Sequence, residues 1–162
     1  VRVEEVHIGA AVVHVLRPYT SRKPTEIVAA PKVYGFDTGF ACYYRGWTGL
    51  RREDMGLLWE HFVLNEMQAR LQTRRIYYLR DNAGHEVDFI VNRRGYPPIA
   101  IECKWSGKDF DSSNLAVFRR LYPRGDNYIV TADTDKPFHR RYGDLEIKFI
   151  NLEQLFDYLT AI

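Results

Sequence analysis

Thirteen residues separate Asp88 from Glu102-Cys103-Lys104, and strand-like apolar runs surround both. Two carboxylates and an ammonium at this spacing have the residue types that metal-assisted cleavage of a phosphodiester needs. Carboxylate oxygens bind a hard cation such as Mg²⁺ or Mn²⁺. The cation polarises the phosphate and lowers the pKa of a bound water, and the ammonium orients that water or stabilises charge growing on a phosphoryl oxygen.

The elements that must position these groups follow from alternation. In Glu86-Val87-Asp88-Phe89-Ile90-Val91, the pattern predicts Val87, Phe89 and Val91 on one strand face and Glu86, Asp88 and Ile90 on the other. In the run from Pro98 to Lys104, Ile99, Ile101 and Cys103 form the apolar face, opposite Ala100, Glu102 and Lys104. Between them, Asn92-Arg93-Arg94-Gly95-Tyr96-Pro97 is turn material, so an antiparallel hairpin is expected. A register pairing Asn92 with Pro98 sets Asp88 opposite Glu102, about 5 Å apart at Cβ, where the two carboxylates can share one cation. Ahead of the hairpin, Glu60, Val63, Leu64, Met67 and Leu71 fall on one helical seam, placing an acid at the end of an apolar stripe.

Asp88 with Glu102-Cys103-Lys104 resembles the Asp…(Asp/Glu)-x-Lys signature of restriction-endonuclease-like, or PD-(D/E)XK, nucleases. The likeness extends through residues 31–39, Leu58-Trp59-Glu60-His61-Phe62-Val63-Leu64-Asn65-Glu66, Tyr78-Leu79-Arg80-Asp81, Glu86-Val87-Asp88-Phe89 and Ile101-Glu102-Cys103-Lys104. Together these segments are similar to the C-terminal domain carried by many bacterial and archaeal AAA-type P-loop ATPases, over roughly residues 10–160. The resemblance implies a mixed β-sheet core flanked by helices, catalytic residues Glu60, Asp88, Glu102 and Lys104, metal ligands Asp88 and Glu102, and an upstream ATPase domain as partner. It also implies that residues 1–38 are the wing of a winged-helix unit, a β-hairpin remnant ahead of a nuclease-like domain at 39–162. Val87 departs from the pattern, since many members of the superfamily carry proline before the aspartate.

The remaining pattern is α/β. Strands are expected at residues 10–17 and 25–34 around a polar loop, and a linker or short helical connection at 39–54. A helix follows over 56–71 with Asp54 as N-cap, then strands at 76–80, 86–92 and 98–104. A Ser112-capped helix to about residue 122, strands at 128–131 and 145–150, and a helix over 152–159 complete a mixed sheet with a crossover after Lys104.

At 162 residues with 46% hydrophobic composition, the chain can bury one core. It has no twenty-residue apolar span, and it begins with Val1 rather than Met, so an excised piece of a non-membrane, cytoplasmic protein is expected. Cys42 and Cys103 are too few for a metal knuckle, and Cys103 has the parity of a buried strand residue. The histidines lack zinc-ligand spacing, and Gly107-Lys108-Asp109 lacks the Ser/Thr of a P-loop, which excludes ATP hydrolysis by this segment. Asp37 is expected to cap a turn.

A net charge of +2 gives no global argument for nucleic-acid binding. Local clusters at Arg70, Arg74, Arg75 and Arg80, at Arg93-Arg94, at Arg119-Arg120 and Arg124, and at Arg140-Arg141 can meet DNA phosphates, with Tyr77, Tyr78 or Trp105 stacking on bases. The same arginines equally suit a solvated surface, and Lys104 a cross-strand salt bridge on a half-exposed sheet. Two readings therefore stand: a Mg²⁺- or Mn²⁺-dependent nuclease, or a catalytically silent domain that docks nucleic acid or protein for the ATPase. DNA versus RNA and the oligomeric state stay open.

Overall fold

A computed structural model describes residues 13–20, 30–72 and 75–160. Among the described residues, eight strands form one mixed sheet in the order β2-β1-β3-β4-β5-β6-β8-β7. They are β1 (Val13–Pro18), β2 (Lys32–Gly35), β3 (Ile76–Arg80), β4 (Glu86–Val91), β5 (Ile99–Lys104), β6 (Asn127–Thr131), β7 (Phe138–Tyr142) and β8 (Leu145–Ile150). The helices are α1 (Thr38–Tyr44), α2 (Met55–Leu71), α3 (Ser113–Leu121) and α4 (Leu152–Thr160).

Each sheet face buries its own core. On one side, Val63, Leu64 and Met67 of α2 and Leu155, Phe156 and Leu159 of α4 pack on Phe89, Val91, Ile101 and Cys103. On the other, Leu115 and Phe118 of α3 pack on Val87, Ile90, Ala100 and Ile129. With both faces covered, β5 and β6 are buried almost end to end, as parallel strands covered on two sides should be. The expected crossover is present: β5 leads through α3 to β6, which pairs with it in parallel.

The seam on α2 packs as its periodicity predicts, with Leu71 joining the buried Val63, Leu64 and Met67. Two caps differ from expectation. Asp54 and Ser112 sit at the N-cap positions of α2 and α3, yet neither side chain caps its helix. Asp54 instead accepts from the Arg51 backbone N–H, and Asp111 accepts from that of Ser113. Asp37 caps α1 by accepting from the Phe40 N–H at 2.8 Å.

The N-terminal strands join the sheet. β1 pairs antiparallel with β2 and parallel with β3, so the boundary expected at residue 38 falls after the sheet has begun. Parts of that expectation, residues 1–12 and 21–29, lie outside the described residues. At the opposite edge, β7 was not foreseen.

Arginine 119 shows where part of the basic surface goes. Only 7% exposed, it donates to Asn127 Oδ1 and to the carbonyls of Pro98, Arg124 and Asp126, tying α3 to the start of β6. Gly125 is required there: its φ is +117°, and a Cβ would fall 2.2 Å from Pro98 O. Arg70 forks onto Glu153 at 2.8 Å, Arg80 pairs with Glu86, and Arg93 donates to Leu159 O. Arg140 lies over the Phe138 and Phe149 rings, so each of the four arginine clusters has a member engaged within the fold.

Candidate functional site

The strand register around Asp88 agrees with the hairpin arithmetic as far as the pairing runs: Val91 faces Ile99, Ile90 faces Ala100 and Phe89 faces Ile101. On its other side, β4 carries an irregularity. Tyr77 pairs with Ile90 but Leu79 pairs with Val87, so Tyr78 stands opposite both Asp88 and Phe89. This bulge breaks alternation. Val87 therefore packs with Leu115 and Phe118 in the α3-side core while Phe89 packs with Val63 and Leu64, which corrects the expectation that Val87, Phe89 and Val91 share a face.

The bulge also re-aims the acids. Glu86 and Asp88 gather with Glu60 of α2, and one carboxylate oxygen from each lies within 4.8 Å of the others. Asp88 Oδ2 accepts from the Cys103 N–H at 2.8 Å, where β4 and β5 part. Glu102 follows the unbroken alternation of β5 to the side of Ala100 and Ile129, its parallel partner. It lies outside the carboxylate group found among the described residues. The acid placed beside Asp88 and Glu60 is Glu86, which alternation alone did not single out.

Lys104 links the two sets. Its Nζ lies 3.3 Å from Glu102 Oε2, and its side chain lines one cleft with Glu60 and Asp88. That cleft holds ≈ 380 Å³, between Arg52, Glu53 and Gly56 on one side and Cys103, Trp105 and Asp109 on the other. Three of the four expected catalytic residues, Glu60, Asp88 and Lys104, thus meet in it, with Glu102 attached through Lys104.

A second lysine was missed. Lys32 of β2 donates to Glu60 Oε1 at 2.9 Å and also pairs with Glu86, whose other oxygen takes Arg80. Tyr34, two residues on, donates its hydroxyl to the same Glu60 oxygen at 2.5 Å. The Gly35 N–H donates to His61 Nε2 at 3.3 Å, which completes the attachment of β2 to α2. Such contacts span 26 to 28 residues of sequence, and no local pattern encodes them.

The electrostatics divide along the same line. Burial pushes Glu86 up, but its bonds to Lys32 and Arg80 outweigh burial and hold it below the usual carboxylate range. Burial, reinforced by Glu60, pushes Asp88 up to about 7 despite Lys104. Burial likewise lifts Glu102 to about 7 against the pull of Lys104. Glu102 is 1% exposed, and neither oxygen has a hydrogen-bonding partner, its contact with Lys104 being an ion pair without hydrogen-bond geometry. Lys104 is raised because Asp88 and Glu102 together overcome its own burial. Cys103 is driven well up by burial, with Asp88 and Glu60 adding to it, which keeps it a thiol in the metal-free site.

Hard carboxylate oxygens gathered beside an ammonium suit Mg²⁺ or Mn²⁺ better than a soft metal. His85, the one histidine near Asp88 in sequence, instead closes its own turn through Asp81, at 2.9 Å. Tyr78 is 1% exposed and unable to stack on a ligand, whereas Trp105 is 38% exposed and lines the cleft.

The family profile described as "Domain of unknown function (DUF4143)" matches residues 55–155, which include α2, the bulged hairpin and β8. No curated protein matches the chain. Among solved structures, similarity is found to one described as a refined half-complex from a tetradecameric assembly of Thermococcus gammatolerans McrB AAA+ hexamers with bound McrC. Identity is 22% and the TM-score 0.43, over 60% of this chain and 28% of that one. Among the described residues, no helix is long and apolar enough to cross a membrane. With the profile covering most of its length, the chain belongs to the DUF4143 family.

Proposed function

We propose that this DUF4143 member is a divalent-metal-dependent phosphodiesterase acting on nucleic acid, as the C-terminal domain of a prokaryotic AAA-type ATPase. The observation that carries the catalytic part is the meeting of Glu60 and Asp88 with Lys104 at one cleft, with Glu86 gathered beside the two acids. The ATPase linkage and the restriction-endonuclease-like fold rest on the resemblance of the motifs.

Asp88 and Glu60 are the carboxylates to hold Mg²⁺ or Mn²⁺, with Glu86 behind them. The bound ion would polarise the phosphodiester and supply a water of lowered pKa. Lys104 donates to the phosphoryl oxygen on which charge develops. Glu102 positions that ammonium from below, which gives the second acid of the Glu-x-Lys motif a role other than the direct ligation expected from sequence.

A specific observation favours a second reading, a catalytically silent docking domain. Lys32 already neutralises two of the three gathered acids, as a salt bridge in a purely structural site would. Calorimetry with Mn²⁺, run beside a cleavage assay on DNA and RNA, separates the two. Binding abolished by D88N, together with metal-dependent cleavage, establishes the phosphodiesterase; no heat of binding and no cleavage, including in a protein joined to its ATPase, leaves the docking domain.

A further inference from the structure

The cleft carries an aromatic lip that the metal chemistry does not use. Trp105 directly follows Lys104 and is 38% exposed; Phe62, two residues after Glu60 on α2, is 40% exposed. Trp59 joins them, its ring 6.0 Å from Trp105 edge to face and 5.9 Å from Phe62. Trp59 is itself pinned to the sheet, donating its indole N–H to Val130 O at 2.9 Å. Two outer rings are thus held in place by an inner one, beside the floor formed by Glu60, Asp88 and Lys104.

We infer that this lip stacks an unpaired nucleobase, so that the cleft takes single-stranded nucleic acid in preference to a duplex. The inference rests on the phosphodiesterase reading and names its substrate class. A ring face accepts any base and gives no sequence preference, but only a base that has left its own stack can lie on it. Trp105 and Lys104, being adjacent, offer ring and cation at the close spacing at which a nucleotide offers base and phosphate.

The charge around the cleft adds a condition. Among the lining side chains Glu53, Glu60, Asp88 and Asp109 outnumber Arg52 and Lys104, and Lys32, shared between Glu60 and Glu86, does not reverse the balance, so the bare cleft offers a phosphate backbone no net attraction. Strand binding should therefore require a divalent ion on the acids, unlike binding to a basic groove, which counterions only weaken.

The test is titration of the full chain with a thymidine oligonucleotide about ten nucleotides long, and with its duplex, in Ca²⁺, in Mn²⁺ and in EDTA. Tryptophan quenching and anisotropy report binding, and calorimetry reports Mn²⁺ separately. Single strand should bind in Ca²⁺ and Mn²⁺, more tightly than duplex, and lose most affinity in EDTA. W105A should weaken single-strand binding roughly 5- to 150-fold, W105F should restore most of it, and neither should alter Mn²⁺ affinity or duplex binding. Equal affinity for duplex, or single-strand binding indifferent to W105A while Mn²⁺ binds normally, overturns the inference and leaves the phosphodiesterase reading intact. Normal Mn²⁺ binding with no affinity for single strand or duplex also overturns it. If Mn²⁺ does not bind, the site reading falls; quenching in EDTA that W105A removes would then keep the lip, and its absence would remove both.

Discussion

Two lysines serve neighbouring acids, and they do so differently. Lys32 is matched: Glu60 and Glu86 both pair with it, Tyr34 donates to the same Glu60 oxygen, Arg80 takes the other oxygen of Glu86, and Glu86 is held below its usual range. Lys104 is overdrawn, because one ammonium faces both Asp88 and Glu102, and each of those carboxyls is pushed up to about 7. The first half of the site behaves as a fastener that ties the β2 edge to α2 and the sheet. The second half holds more negative charge than its protein partners neutralise, and a cation there would relieve that excess.

Substitution at Asp88 should produce the largest effect and locate the reactive half. D88N keeps the shape and the acceptor for the Cys103 N–H while removing the charge. Metal-dependent cleavage should fall to background and Mn²⁺ binding should be lost, with the melting temperature unchanged or raised. K104A should lower turnover by about 10²–10³ while sparing Mn²⁺ affinity more than D88N does. If D88N cleaves like the parent, the reactive half has been misplaced.

Next in size is the contrast between the lysines in stability. Removing Lys32 strands two acids that are only 22% exposed, so K32M should cost about 2 kcal/mol at pH 7, a value reduced from the fully buried case for partial solvent access. K104M should cost less, because Asp88 and Glu102, already near 7, answer by taking up protons. Chemical denaturation of both variants decides this, and a larger loss in K104M would reverse the assignment of fastener and reactive half.

The fastener is also the part least visible in the sequence. Helical periodicity finds α2, α3 and α4, and apolar runs bounded by turn residues find the strands β3, β4, β5, β6 and β8. Both miss β7, Phe-His-Arg-Arg-Tyr, an edge strand mostly exposed along its length and therefore without an apolar rhythm. Alternation places Asp88 and Lys104 near one another, since hairpin register is local arithmetic. It cannot see the extra residue opposite Tyr78, which leaves composition unchanged yet moves Val87 to the other core and Glu86 into the acid group. Nor does any local signal tie Lys32 to Glu60 and Glu86. The one available hint is an alternating Lys-x-Tyr on a short strand, with both residues on the face turned toward Glu60.

The pH dependence of stability sharpens the comparison at smaller scale. Glu102 has its pKa raised in the folded chain, from 4.5 to about 7. Between those values the folded state binds more protons than the unfolded one, so stability falls as pH rises from about 4.5 to about 7 and levels off above. E102Q removes that slope: it should be near neutral at pH 5 and stabilising by about 1–2 kcal/mol at pH 8, after allowance for burying an amide without partners. Melting curves across this range test it, and an E102Q effect independent of pH would show that Glu102 is not held uncharged by burial.

The smallest effect belongs to Tyr34. Its hydroxyl donates to Glu60 Oε1 at 2.5 Å, and burial with the neighbouring Glu60 charge drives its own pKa far above the usual phenol range, so the proton stays on the hydroxyl throughout the accessible pH. Y34F deletes that donor but leaves the ring against His61 and Phe89, and Lys32 still bonds the same carboxylate oxygen. The cost should be about 1 kcal/mol, the net worth of one partly buried hydrogen bond, without a pH slope between 5 and 8. Amide exchange should quicken in β2 more than in β5, because the lost bond fastens an edge strand whose other fastenings are the β1 ladder, Lys32 and the Gly35 to His61 contact. Equal acceleration in both strands would mean that Tyr34 supports the whole core, and the division between a closed half and a reactive half would lose its physical basis.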